Sequence, residues 1–225
     1  MDWMLRSLGK TMNMIANNVD NKKIVFVFDF DGTLCDSNQT KHSALVEALI
    51  KLNFFNDKEK SISYADKFIY ESGLSREYKL IRDFKKNFGI SEVDKLIEVY
   101  SNNLKIAFSD EKLSLSCISA LKKFKEKGHV YILSGGRFGE IIRILERSMN
   151  LDLIDGVFGG GVDKQIILNN LNSKYRVTFF GDSLIDLKAA INSGVEFINI
   201  TGYTDFNLQT NKFKKMKSIG DYFVA

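Results

Sequence analysis

Asp29 and Asp31 stand two positions apart in Phe28-Asp29-Phe30-Asp31-Gly32-Thr33-Leu34, directly after the apolar run Lys23-Ile24-Val25-Phe26-Val27. A run this apolar reads as the central strand of a parallel sheet covered on both faces, and ligands in such sheets bind beyond the carboxyl ends of the strands. Period-two alternation predicts both carboxylates on one side, with Gly32 letting the chain turn sharply after them. Two like charges held so close require a cation or a shared proton, which points to Mg²⁺.

Further polar groups close other strand-like runs. Val130-Tyr131-Ile132-Leu133-Ser134-Gly135-Gly136 ends in a hydroxyl and two glycines, and Phe179-Phe180-Gly181-Asp182-Ser183 is followed by Asp186. Between them lie Lys164, in Gly161-Val162-Asp163-Lys164-Gln165-Ile166, and Lys174. In this order the motifs resemble those of the haloacid dehalogenase-like superfamily, mostly phosphatases, over about Lys23 to Ile200. The resemblance implies a helix-starting lysine, for which Lys164 is the first candidate and Lys174 the alternative. The segment before Asp182 is short, and the proline-containing turn that often follows the family's lysine is absent.

The resemblance implies a role for each residue. Asp29 would be the nucleophile that becomes an aspartyl phosphate, and Asp31 the acid and then the base. Mg²⁺ would be held by Asp29, Asp182 and the backbone carbonyl of Asp31, with Asp186 orienting the metal's water shell or Lys164. Ser134 and Lys164 would hold the transferring oxygens, together with backbone N–H groups of Gly32, Thr33 and Gly135. An acid at position 31 favours phosphoryl transfer over dehalogenation. Plainer readings stand beside these: strand-end turns for Asp29 and Asp31, helix caps for Asp182 and Asp186, an ordinary turn for Ser134.

The fold class implied is α/β, a doubly wound parallel sheet of the superfamily's Rossmann-like kind with an inserted all-helical cap. Residues 1–36 and 113–225 would form the α/β core and 37–112 the cap. The middle segment shows only helix-period apolar spacing, such as Ala44-Leu45 with Ala48-Leu49-Leu52, whereas short apolar strands alternate with helices from Leu115 onward. In the cap, Gly73-Leu74-Ser75-Arg76-Glu77 resembles the loop that closes over the site in phosphoglycolate phosphatase and β-phosphoglucomutase relatives. Arg76 would grip an anionic group distal to the scissile phosphate; alternatively, Ser75 simply caps a helix. His42 lies near a catalytic-loop histidine of the mutases, but gap-free counting from Asp31 places Lys41 there.

The bulk properties bound the rest. A chain of 225 residues has room for one sizeable domain and a smaller one. Its net charge of +4 arises from 32 basic and 28 acidic residues, too small and dispersed an excess to imply nucleic acid. The run Lys212-Phe213-Lys214-Lys215-Met216-Lys217 reads as a solvated helix face or tail. Cys35 and Cys117 are too few for a disulfide framework, so a cytoplasmic setting is expected, with Cys35 as packing. Residues 1–21 show neither a signal peptide nor a membrane anchor and read as a short amphipathic helix. The complete lack of proline reads as composition bias. The expected activity is a Mg²⁺-dependent phosphatase acting on a small phosphorylated metabolite of the phosphoglycolate or sugar phosphate class. It would be a monomer or weak dimer without nucleic-acid or membrane partners. The alternatives are a phosphomutase and a catalytically silent binding protein.

Overall fold

The computed structural model describes residues 24–71, 74–149, 151–204 and 213–224. The predictions for residues 1–21, Gly73 and Lys212 lie outside them. The first strand, β1, spans Ile24–Phe28. Four helices follow directly: α1 (Asn38–Lys51), α2 (Lys58–Tyr70), α3 (Arg76–Phe84) and α4 (Ile90–Ala107). Then α5 (Leu115–Lys127), β2 (His129–Leu133), α6 (Phe138–Ser148), β3 (Gly156–Phe158), α7 (Lys164–Asn172), β4 (Arg176–Gly181), α8 (Leu184–Ser193), β5 (Glu196–Ile200) and β6 (Lys214–Met216) alternate.

The six strands form one sheet in the order β3-β2-β1-β4-β5-β6, every neighbouring pair parallel. β1 is central, and its alternation divides the core. Phe26 and Phe28 point into one cluster with Phe124 of α5 and Ile141, Ile144 and Leu145 of α6, while Val25 and Val27 point into another with Leu168 and Leu171 of α7 and Leu187 and Ala190 of α8. Helices on both faces are what a strand apolar on both sides requires. Phe28 stacks on Phe180 of β4 with ring centroids 4.7 Å apart, and Phe124 meets both edge-on. These rings fix β1 against β4 close to the two acidic strand ends.

Two expectations need correction. The basic run near the C-terminus is not a helix: Lys214–Met216 is the edge strand β6, paired with β5 through Ile198, Asn199 and Ile200. Only Met216 is buried there, and lysine on an exposed edge is a usual guard against pairing with another chain. Strand alternation does not place Asp29 and Asp31 either, because the strand stops at Phe28; a turn brings both to one cavity. The Phe30 carbonyl accepts from the N–H groups of Thr33, Leu34 and Cys35, and the Gly32 N–H donates to the Cys35 carbonyl. This tight turn carries Gly32 at φ +81°, a conformation side chains resist, and a Cβ there would strike the Asp182 carboxylate.

Candidate active site

The ends of β1, β2 and β4 bring their polar groups to one edge of the sheet. Asp29, directly after β1, is buried, as are Asp182 after β4 and Asp186 in the first turn of α8. Their carboxylate oxygens lie within 4.8 Å of one another. One cation faces the three: Lys164, the first residue of α7, donates to Asp29 Oδ1 and to Asp186 Oδ1, each at 2.6 Å. Asp163 starts that helix by accepting from the N–H groups of Gln165 and Ile166, which sets the lysine at its N-terminus. Lys174 is exposed just before β4.

Three buried carboxylates against one ammonium leave a surplus of negative charge. Burial pushes the Asp29 carboxyl up to about 7, with Lys164 pulling it down less than burial, Asp186 and Asp31 raise it. Asp182 is likewise raised well above the usual carboxylate range, by burial first and then by Asp29 and Asp186. Lys164 is pushed up despite its burial, because Asp186 and Asp29 hold the ammonium charged. A dense set of hard oxygen donors carrying surplus charge fits a divalent cation of the Mg²⁺ kind. Asp29 and Asp182 would be free to hold one, since Asp186 already binds Lys164 with one oxygen and the N–H and hydroxyl of Ser183 with the other. Asp186 is therefore both a helix cap and the anchor of Lys164. Thr33 Oγ1 donates to Asp182 Oδ1 at 3.3 Å.

Asp31 belongs to a second group. Its carboxylate accepts from Ser37 Oγ at 2.6 Å, pairs with the Lys41 ammonium, and lies 3.5 Å from Ser134 Oγ. Burial would raise this carboxyl, but Lys41 and the Ser37 hydroxyl outweigh it and hold Asp31 below its ordinary value. Its carboxylate stays outside the Asp29, Asp182 and Asp186 group; the turn's bridge uses the peptide groups of Phe30, Gly32 and Cys35 and not the Asp31 carbonyl. Ser134 also accepts from the Gly136 N–H at 3.1 Å, so its turn and its place in the site coexist. Cys35 is buried, its thiol pushed up by burial and by Asp31, and serves as packing.

A cavity of about 50 Å³ is lined by the strand-end residues Asp29, Asp31, Ser134 and Gly135 and by Lys41, Phe68, Arg76, Lys79 and Tyr100 of the helical segment. By the volume one water requires, it holds a group about the size of four waters. Ser75 caps α3 by accepting from the Tyr78 N–H, and Arg76 is the first residue of that helix. The Arg76 guanidinium does not stand free. It binds both oxygens of Glu140 in the first turn of α6, reaches Ser101 Oγ at 3.4 Å and lies over the Tyr100 ring at 5.2 Å. Next to it Arg137 binds Glu77 at 2.7 Å. Two ion pairs of opposite sense thus join α3 to the start of α6. Replacing Glu140 with Ala is expected to cost about 3 kcal/mol, because Arg76 is then buried without a counter-charge. Urea unfolding of the variant measures this, and Glu140→Gln should lose less.

Lys41, Ser37 and Lys79 are site residues that the strand-end motifs do not carry. A signal existed only for Lys41, ten positions after Asp31. His42 turns instead to Asp66, at 3.0 Å.

The sequence model of the haloacid dehalogenase-like hydrolase family matches residues 25–194. No curated protein matches the chain. Among solved structures, a Bacteroides fragilis haloacid dehalogenase-like hydrolase superposes with a TM-score of 0.69 at 21% identity, covering 88% of this chain and 98% of its own. A Haemophilus somnus protein described as a predicted phosphoglycolate phosphatase gives 0.69 at 15% identity, covering 92% and 99%. CbbY from Rhodobacter sphaeroides, solved with phosphate, gives 0.65 at 16% identity, covering 88% and 95%. At these identities the likeness is one of fold.

Proposed function

The chain belongs to the haloacid dehalogenase-like hydrolase family, and from that premise we propose that it is a Mg²⁺-dependent phosphatase of small phosphorylated metabolites. The observation that carries this reading is the division of the two acids between different surroundings: Asp29 against Lys164 and two further carboxylates, Asp31 against Lys41 and two hydroxyls. The surroundings make the two acids non-interchangeable, and the family's motif order assigns Asp29 as nucleophile and Asp31 as its acid–base partner; the raised Asp29 carboxyl would need a bound cation to ionise it, while the Lys41 ammonium stands beside Asp31 as a proton source. Asp29 attacks phosphorus and the ester oxygen departs with a proton from the Asp31–Lys41 pair; Asp31 then takes a proton from the water that opens the aspartyl phosphate. Lys164 keeps Asp29 oriented and offsets phosphate charge, and Ser134 with the Gly135 N–H binds the transferring oxygens. A bound Mg²⁺ supplies charge neutralisation between nucleophile and phosphate. The helices of residues 37–112 act as the cap that excludes water. Two buried thiols without a disulfide, Cys35 and Cys117, support a cytoplasmic setting. No helix among the described residues is long and apolar enough to cross a membrane.

Phosphate release from a panel of phosphorylated metabolites, with Mg²⁺ and then with EDTA, tests the proposal; undiminished release in EDTA would overturn the metal assignment. A linked effect is expected in metal binding itself. Asp29 and Asp182 titrate above the ordinary carboxylate range in the metal-free protein, so Mg²⁺ must displace protons. Its affinity should rise with pH up to and through about 7. Calorimetric titration of Mg²⁺ at pH 6 and pH 8 measures it, and pH-independent affinity would contradict the charge surplus.

A further inference from the structure

We propose that Lys79 is the substrate-selecting cation of this site, receiving a carboxylate or second phosphate carried by the alcohol half of the substrate. The proposal rests on the phosphatase reading and names the class of ester the site takes. Lys79, on α3, is 4% exposed and lines the same cavity as Asp29 and Ser134. Its ammonium donates to the Phe68 carbonyl at 2.6 Å and the Glu71 carbonyl at 3.2 Å, both at the C-terminal end of α2, and sits 3.6 Å from the centroid of the Phe68 ring. Two of its three N–H groups are thereby used.

The other cations on the wall are already paired, Lys41 with Asp31 and Arg76 with Glu140. Lys79 forms no ion pair with a carboxylate among the described residues; the nearby Glu71 is taken by Arg82 at 2.6 Å. Carbonyls and an aromatic face satisfy an ammonium's hydrogen bonds but leave its charge uncompensated in a buried place. Burial, and after it the repulsion of Lys41, push this lysine down to about 7, as expected of a cation without its anion. Arg76, engaged with both Glu140 oxygens, is a positioning residue that holds α3, and with it Lys79, over the site. Because Lys79 lines the same small cavity as Asp29 and Ser134, the selected anion would sit on a short tail behind the phosphoester.

The test compares binding of phosphonoacetate, which carries a carboxylate, with binding of the uncharged-tail analogue ethylphosphonate, by titration calorimetry in Mg²⁺. Wild type should favour phosphonoacetate by about 10- to 100-fold, the range of a hydrogen bond to a charged group. Lys79→Met should bring the ratio to near unity, and Lys79→Arg should keep most of it. No preference in wild type overturns the proposal even where the Met variant does not fold, and so does a Met variant that weakens both ligands equally, since Lys79 would then only clamp the end of α2. Phosphate release from phosphoglycolate and from 2-hydroxyethyl phosphate is read separately. Discrimination in binding without any release rejects the phosphatase reading and leaves the subsite, whereas release without discrimination does the reverse.

Discussion

Asp29→Asn is expected to lower phosphate release by on the order of 10⁴-fold or more while raising the melting temperature. The first effect follows from the amide's poor nucleophilicity, which leaves the covalent route without its first step. The second follows from electrostatics. Asp29 has a carboxyl raised to about 7 even though Lys164 donates to it at 2.6 Å, so burial and two neighbouring acids outweigh the attraction. A carboxyl raised on folding favours the native state most below its unfolded value, near 4, and that contribution is lost as pH rises through about 7. The asparagine variant has no such charge and keeps the shape, so its advantage should be small at pH 4 and largest above pH 7. Thermal melts across that range, beside phosphate-release assays, check both halves. Substantial turnover in the variant would overturn the aspartyl phosphate; a lower melting temperature at pH 8 would show that the pair with Lys164 outweighs the repulsion.

Lys164→Met should be the most damaging substitution in the protein. It leaves Asp29, Asp182 and Asp186 buried within 4.8 Å of one another with no cation, a loss of about 3–5 kcal/mol by analogy with other broken buried pairs, and removes activity as well. The destabilisation should depend on pH in a definite direction, because protonating Asp29 and Asp182, both raised already, relieves it. Urea unfolding should show a larger deficit at pH 8 than at pH 5, and Mg²⁺ should restore part of the loss at pH 8. A deficit equal at both values would mean that the side chain matters through its packing alone.

The sheet was legible because its strands are short apolar runs with polar stops, and the strand ends needed only to be adjacent for Asp29, Ser134 and Asp182 to converge. Lys164 was legible only through the motif order of the resembled family; the Asp163 cap that sets it at the start of α7 is seen in the structure. What the pattern hid depends on the path of the chain after a strand ends. The turn at Phe30 to Cys35 separates Asp31 from Asp29, and alternation says nothing about a carbonyl that accepts three N–H groups. Partner choice was equally hidden. Arg76 reads as a substrate-gripping cation or a helix-start residue, yet Glu140, 64 positions away, takes its two terminal nitrogens. The strand Lys214–Met216 was missed because an edge strand with a single buried residue carries almost no apolar signal.

The central place of β1 has a consequence for how the protein comes into being. Its neighbours are β2, roughly 100 residues later, and β4, roughly 150 residues later. At about 5–20 residues per second, the ribosome releases Ile24 to Phe28 on the order of ten seconds before the second of these partners is made. Through that interval an uncharged, β-branched and aromatic segment has both edges open, which is the composition of a strand prone to pair with the wrong chain. The helices of residues 38–107 are the first elements after it whose contacts are local, so they can begin to form while the strand still waits for its sheet.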